Sequence, residues 1–286
     1  MGTKSFTSEV SGLVSIVMPA YNSSAVISQA ICSVLHQTYS NWELLITDDG
    51  SIDATVEVVL GFDDSRITLL RQFNQGVSAA RNRALDIARG EFITFLDSDD
   101  ALPPQSLKSR VDLLQNDPTV DVVDGVFVVC ATDLNTIVKR RQPGSRCLLL
   151  KGLITLDPSI FRGVSYLLRR KYLGSTRFTL GMSHAEDLLF IFEISSKHPL
   201  IYSPVYVDTY FYRTGSSSAM KNIIGLEQGY LSLLKKLSRF ESINSFARLS
   251  LALRFSKILT LSFLALHQPM RAIAACPRQI YTFFFY

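Results

Sequence analysis

The stretch Phe92–Asp100, Phe-Ile-Thr-Phe-Leu-Asp-Ser-Asp-Asp, constrains this chain more than any other. It opens with five apolar or β-branched residues and no polar alternation, which is how a strand buried on both faces of a parallel sheet reads. Three carboxylates then follow within four positions. Such a strand carries its acids to the carboxyl edge of the sheet, where open α/β sheets bind ligands in the crevice outside the strand ends. Clustered carboxylates repel one another there unless a divalent cation or water separates them. A solvated acidic turn capping the next helix accounts for the same letters, because Asp caps well and Pro103 and Pro104 suit a first helical turn. The neighbouring stretches weigh against that reading.

Val14–Met18 is a β-branched strand stopped by Pro19, after which Val26, Ile27, Ile31, Val34 and Leu35 fall on one helix face. Trp42–Thr47 is a second strand ending in Asp48-Asp49-Gly50-Ser51, with Asp53 placed to cap a helix carrying Val56, Val59 and Leu60. Ile67–Leu70 is a third, followed by a helix over 77–88 that Gly90 should end in the left-handed conformation. Four strands alternating with three helices predict an α/β, doubly wound, mostly parallel sheet with right-handed crossovers. Beyond Asp100 the spacing predicts a helix over 104–116, a strand over 120–130 and a turn at Asp133-Leu134-Asn135 leading back into 136–139. Residues 140–179 read as mixed sheet and loop. A helix from His184, a strand over 205–212 and a mobile Gly/Ser-rich loop over 213–219 follow.

Two acidic strand ends, Asp48-Asp49 and Asp97–Asp100, therefore share one sheet edge. That placement suits a nucleotide: one acid accepts hydrogen bonds from a base or ribose, and the other set holds a cation against a diphosphate. The chain has no G-x-x-x-x-G-K-[ST] and no G-x-G-x-x-G, so a glycine-rich phosphate cradle is not expected. The same letters admit an aspartate-nucleophile phosphatase, in which the first Asp after an apolar strand attacks phosphorus, although the second acid pair has no part in that chemistry. A binding module without activity is a third reading.

The motifs Val14-Ser15-Ile16-Val17-Met18-Pro19-Ala20-Tyr21-Asn22, Gln37-Thr38-Tyr39 with Trp42-Glu43-Leu44-Leu45-Ile46, and Asp48-Asp49-Gly50-Ser51-Ile52-Asp53 stand in order. Asn74-Gln75-Gly76-Val77-Ser78-Ala79-Ala80-Arg81-Asn82, Gly90-Glu91-Phe92-Ile93 and Leu96-Asp97-Ser98-Asp99-Asp100 complete them. On these residues the chain resembles the family 2 glycosyltransferases of the GT-A fold, with shorter signals in Glu186-Asp187 and Tyr212-Arg213. The resemblance implies a Rossmann-like, mostly parallel sheet flanked by helices, and inverting transfer of a sugar from a nucleoside diphosphate to a hydroxyl. A UDP-sugar donor and a growing glycan or lipid-linked glycan acceptor, in surface polysaccharide or lipopolysaccharide synthesis, fit best. It implies that Tyr21 brackets the nucleobase, that Asp49 accepts from the base, and that Asp97, Asp99 and Asp100 bind ribose and a Mg²⁺ or Mn²⁺. Asp99, with Asp97, is favoured as the metal ligand because alternate residues of an extended segment point one way. Asp187 matches the general base and Arg213 a mobile-loop cation near the diphosphate. Tyr21 and Arg81 suit packing and helix capping as readily as ligand contact. Asp48 reads as the structural member of its pair, Glu186 as a helix N-terminal charge or support for the base, and His184 as incidental.

The division expected is a tail over 1–12, a glycosyltransferase domain over 13–224 split at residue 100 into nucleotide-sugar and acceptor halves, and a basic helical appendage over 225–286. Of the net charge of +4, the last sixty residues carry +6, with eight Lys or Arg against two Glu, and the first 226 carry −2. One helix over 227–266 interleaves apolar residues with Lys235, Lys236, Arg239, Arg248, Arg254 and Lys257, so it either packs on the domain or lies on an anionic membrane surface. Phe283-Phe284-Phe285 favours a lipid or a partner. Scattered cysteines without C-x-x-C spacing predict reduced thiols, and residues 1–12 lack the order of a signal peptide. The longest clean apolar run, 258–266, falls short of the ~20 residues that span a bilayer. A cytoplasmic protein, at most at the inner face of the membrane and without a nucleic-acid partner, is expected.

Overall fold

The computed structural model describes residues 9–160, 163–215 and 222–275. Strand β1 (Val10–Ala20) pairs in parallel with β2 (Trp42–Asp48) on one side and β4 (Gly90–Phe95) on the other, and β3 (Ile67–Arg71) extends the sheet beyond β2. Helices α1 (Ile27–Leu35), α2 (Thr55–Leu60) and α3 (Val77–Leu85) make the crossovers. The period of two sorts the strand side chains into two cores, one on each face. Val14, Ile16, Met18, Leu44, Ile46 and Phe92 pack with α1 and with α4 (Ser106–Asn116), whereas Val17, Leu45, Ile93 and Phe95 pack on the opposite side.

The second half completes one nine-stranded sheet. After α4 come β5 (Val122–Cys130), β6 (Ile137–Arg141), β7 (Cys147–Leu148), α5 (Leu149–Ile154), β8 (Leu167–Arg169), α6 (Glu186–Lys197) and β9 (Ile201–Arg213). The order is β3-β2-β1-β4-β8-β5-β9-β7, with β6 also on β5. β6 returns antiparallel through the expected turn, where Leu134 takes φ 60°. β8 is antiparallel to both β4 and β5 and closes the seam between the first four strands and the parallel β5–β9 pair.

Three expectations need correction. The helix expected to reach Ala88 ends at Leu85, and Gly90 is the first residue of β4 rather than a left-handed cap. A Cβ at Gly90 would lie 2.6 Å from the Leu13 carbonyl oxygen and the Ser15 nitrogen, so glycine is needed for close approach of two backbones. The first strand begins at Val10, with Gly12 at φ 69° and a register shift between Val10 and Val14. The single C-terminal helix is two, α7 (Ile223–Leu237) and α8 (Ser245–Ala265). The Asn244 side chain accepts from the Ala247 N–H at 2.9 Å and so starts a new helix where the sequence suggested continuation.

Leu233, Leu237, Leu251, Phe255, Leu259 and Phe263 of α7 and α8 are buried in the α6-side core. Both helices therefore pack on the domain. Among the described residues no helix is long and apolar enough to cross a membrane, and Cys32, Cys130 and Cys147 are free thiols. Most of the loop expected to be mobile, Cys276 and Phe283-Phe284-Phe285 lie outside the described residues.

Candidate active site

β2 and β4 flank β1 in parallel, so their acidic ends meet at one edge, as expected. Asn22, at φ 48°, ties the end of β1 to the turn after β2: its N–H donates to Ser51 Oγ at 2.9 Å and its Oδ1 accepts from the Ile52 N–H at 3.0 Å. Tyr21, half exposed at 50%, stands at this edge with Ile52 and Phe73, which are 90% and 92% exposed. Wetted apolar side chains at three successive strand ends suit stacking on a flat base.

The two acids of the second strand end divide their work differently from expectation. Buried Asp49 accepts from Gln72 Nε2 at 2.7 Å and the Gln75 N–H at 2.9 Å on Oδ1, and from the Gly76 N–H at 2.8 Å on Oδ2. It thus holds the 72–76 loop, the backbone-bonding role expected of Asp48. Asp48 is equally buried, meets only the Ser51 N–H at 3.4 Å, and leaves Oδ1 without a hydrogen-bond partner.

After β4 the chain turns rather than running extended: the Asp100 N–H donates to the Asp97 carbonyl at 3.1 Å. The alternation that placed Asp97 and Asp99 side by side is therefore absent. Asp97 Oδ1 accepts from Arg81 Nη2 at 2.8 Å. Asp100 is buried and accepts from the Tyr210 hydroxyl and the Arg213 N–H, both at 2.8 Å, while the same hydroxyl accepts from the Asp97 N–H at 3.3 Å. Burial, then the charges of Asp97 and Asp99, push Asp100 well above the usual carboxylate range. Asp99 is exposed and accepts no hydrogen bond from another side chain among the described residues; burial of its carboxyl end and the charge of Asp97 push it up as well. Arg213 closes β9 rather than sitting in a loop. Its guanidinium is pinned by the Asp99 carbonyl and Gln29 Oε1, both at 2.5 Å, and by the Thr132 carbonyl.

Arg81 links this turn to the start of α6. Its side chain is 5% exposed, with Nη2 on Asp97 and Nη1 on Glu186 Oε1 at 3.0 Å, and its Nε has no partner. Glu186 is thereby committed to Arg81. The adjacent Asp187 accepts from the Leu188 N–H at 2.7 Å and is pushed up to about 7, first by burial and then by Glu186, with Arg81 acting in the opposite sense. A carboxylate with that affinity for protons suits general-base work near neutral pH. Two phenols that the sequence did not single out lie within electrostatic reach of it. Burial, then the charge of Asp187, raises Tyr166 well above the ordinary value and Tyr230 to about 12. Tyr166 sits in a short apolar run, Tyr230 in α7, and Tyr210, which holds Asp100, in an alternating strand; nothing local marks any of them.

Among the described residues no three His, Cys, Asp or Glu side chains form a cage for a metal. Mg²⁺ takes one or two carboxylates, with substrate phosphates and water completing its shell. Asp99, exposed and within electrostatic reach of Asp97, fits that mode of binding.

The glycosyl transferase family 2 pattern matches residues 15–176, more than half of the chain. An uncharacterized glycosyltransferase of Haemophilus influenzae is 32% identical over 217 residues, covering 73% of this chain and 82% of that protein. The Escherichia coli glucosyltransferase WfgD is 52% identical over 103 residues, spanning 36% of this chain and only 41% of its own length. Among solved structures, Staphylococcus aureus TarS 1-349 in complex with UDP-GlcNAc superposes over 94% of this chain and 81% of its own with a TM-score of 0.69 at 21% identity. The Pyrobaculum calidifontis mannosyltransferase PcManGT, in complex with GDP-Man and Mn²⁺, covers 98% of this chain and 86% of its own at a TM-score of 0.60 and 19% identity. The GT-A-like sheet is thus the fold of this chain, and the phosphatase reading is set aside. With the sequence pattern, the sheet order and the acidic edge in agreement, this chain belongs to glycosyl transferase family 2.

Proposed function

We propose that this chain is an inverting, metal-dependent glycosyltransferase that moves a sugar from a UDP-sugar to a hydroxyl of a growing, lipid-linked surface glycan. The observation that carries the reading is the Arg81 bridge, which fixes the acidic donor edge at Asp97 against the start of α6, where Asp187 is the proton acceptor. The donor and acceptor classes draw on relatives. WfgD and WfaP of E. coli are named as UDP-Glc:α-D-GlcNAc-diphosphoundecaprenol β-1,3-glucosyltransferases, and TuaG of Bacillus subtilis as a putative teichuronic acid glycosyltransferase.

In this mechanism Tyr21 stacks on the base, and Asp99, with Asp97, would hold Mg²⁺ or Mn²⁺. The bound ion supplies charge neutralisation of the diphosphate. Asp187 takes the proton from the acceptor hydroxyl as that oxygen bonds to the anomeric carbon. The carbon–phosphate-oxygen bond breaks on the opposite face, and its electron pair leaves with the diphosphate. One displacement inverts the anomeric centre. Glu186 stays paired with Arg81.

Contact with an anionic membrane belongs to the same reading. The outer side of α8 exposes Leu253, Ile258, Leu261 and Leu264 among Arg254 and Lys257, a mixture that favours a lipid interface. The test of function is a mass-spectrometric screen of UDP-glucose, UDP-GlcNAc, UDP-galactose and GDP-mannose for slow, Mn²⁺-dependent hydrolysis, followed by the Asp187→Asn variant. Turnover of one UDP-sugar, lost in the variant with UDP binding kept, is expected. Binding without turnover of any donor would leave a binding module. Retention of the donor's anomeric configuration in the product would refute direct displacement.

A further inference from the structure

α7 lies outside the 15–176 span matched by the family pattern, yet its backbone touches the corner that carries Asp187. Gly225 and Gly229, about one helical turn apart, both face His184. A Cβ at Gly225 would fall 2.5 Å from His184 Cε1 and 2.7 Å from Nδ1, and one at Gly229 would fall 2.5 Å from the His184 carbonyl oxygen. Ordinary contact begins at 3.4 Å, so each added carbon would intrude by about 1 Å. Glycine inside a helix is destabilising relative to alanine, so this helix carries two unfavourable residues where they open a notch. His184 fills that notch and is buried.

The next residue, Ala185, takes φ 60° and ψ 16°, and α6 then begins with Glu186 and Asp187. A left-handed alanine is strained and persists only where its surroundings over-determine it. Here the residue before it is seated against α7 at Gly225 and Gly229. The same helix places buried Tyr230 within electrostatic reach of Asp187.

We infer that the Gly225–Gly229 notch is a positioning element for the catalytic base: by seating His184 it fixes the left-handed Ala185 corner, and with it the direction in which α6 presents Asp187 to the acceptor. The inference rests on the assignment of Asp187 as base. It gives the C-terminal helices a part in catalysis that membrane contact or simple packing does not require.

The experiment uses the full chain, the sugar nucleotide selected by the screen above, and UDP itself as the probe of donor binding. Gly225→Ala should push the imidazole by about 1 Å, and a misplacement of that size costs on the order of 100-fold in kcat. Donor KM and UDP affinity should change far less than kcat, because the nucleotide edge is built from β1 to β4 and meets α6 through the Arg81 bridge. Gly225→Ala combined with His184→Ala removes the ring that the new methyl meets and should recover most of the lost kcat. Gly229→Ala meets a backbone carbonyl, so His184→Ala should not rescue it. Should Gly225→Ala fail to fold, His184→Ala alone empties the notch and should lower kcat without raising KM, with recovery when Gly225→Ala refills it. Unchanged kcat in the single variants, or losses shared equally by kcat and UDP affinity, would overturn the inference. If Asp187→Asn keeps full turnover, the base assignment fails instead. An inactive Asp187→Asn variant beside fully active glycine variants sinks the notch alone.

Discussion

Replacing the proposed base should make the protein more stable while stopping its chemistry. Asp187 has its proton affinity raised from the ordinary 3.8 to about 7, chiefly by burial, with Glu186 adding to it. Between those two values the native state holds the proton more tightly than the unfolded chain, so stability falls as pH rises and the loss is complete above about 7. At 1.36 kcal/mol per pH unit, a difference of about 3 units makes the ionised carboxylate a liability of up to about 4 kcal/mol at pH 8. The amide of Asp187→Asn keeps the shape and still accepts from the Leu188 N–H, but carries no charge to desolvate. Urea unfolding of parent and Asp187→Asn at pH 4 and pH 8 measures the effect. The two should nearly coincide at pH 4, and the variant should be more stable by roughly 2–4 kcal/mol at pH 8, a shift of about 1 M or more in midpoint. Turnover should fall by ~10²–10⁴-fold at the same time. Parallel pH profiles, or a variant less stable than the parent at pH 8, would refute the argument.

Three further outcomes follow from particular contacts. Asp99→Ala removes the exposed hard-oxygen ligand, so Mn²⁺-dependent UDP binding and turnover should both be lost, whereas full parent activity in excess EDTA would remove the metal from the mechanism. Gly90→Ala forces a methyl to within 2.6 Å of backbone atoms of β1, and thermal or urea unfolding should show a loss of at least ~1–3 kcal/mol; a neutral change would mean that the two strands sit further apart. Arg254, Lys257 and Arg271 exchanged together for Gln should weaken co-sedimentation with anionic vesicles, the parent's binding itself falling as salt rises, and unchanged sedimentation would leave α8 a packing helix.

What the sequence disclosed depended on whether the responsible pattern was local. The strands β1 to β4 announce themselves by uninterrupted apolar runs ending in acids, and the edge they create is legible in the letters alone. The hydrogen bonds that set each acid's role are not. Arg81 and Glu186 are 105 residues apart, and neither position shows that a buried guanidinium will join them. The segment 97–100 looks extended because alternating acids suggest alternating directions, yet Tyr210, Arg213 and the Asp97 carbonyl fold it into a turn. Gly225 and Gly229 resemble defects in a helix until His184 is found between them, and the break before α8 is hidden because Ser, Asn and Glu are at home in helix surfaces and caps alike. The apolar periodicity of the C-terminal segment is compatible with burial against the domain, but it does not say where one helix stops.

β8 spans only three residues, yet it is the strip that joins the two parallel ladders, and it leaves the ribosome after β5, β6 and β7. Until Leu167–Arg169 have emerged and returned, β4 has an open flank in the middle of what will become the sheet. An unpaired strand edge is a template for a neighbouring chain. Closing the seam also requires a loop of more than seventy residues from β4, so it is a late, slow step in reaching the native state. A nascent or clipped chain that ends before residue 167 is therefore expected to aggregate in a culture unless chaperones shield that flank, even though the acidic ends of β2 and β4 have already been synthesised.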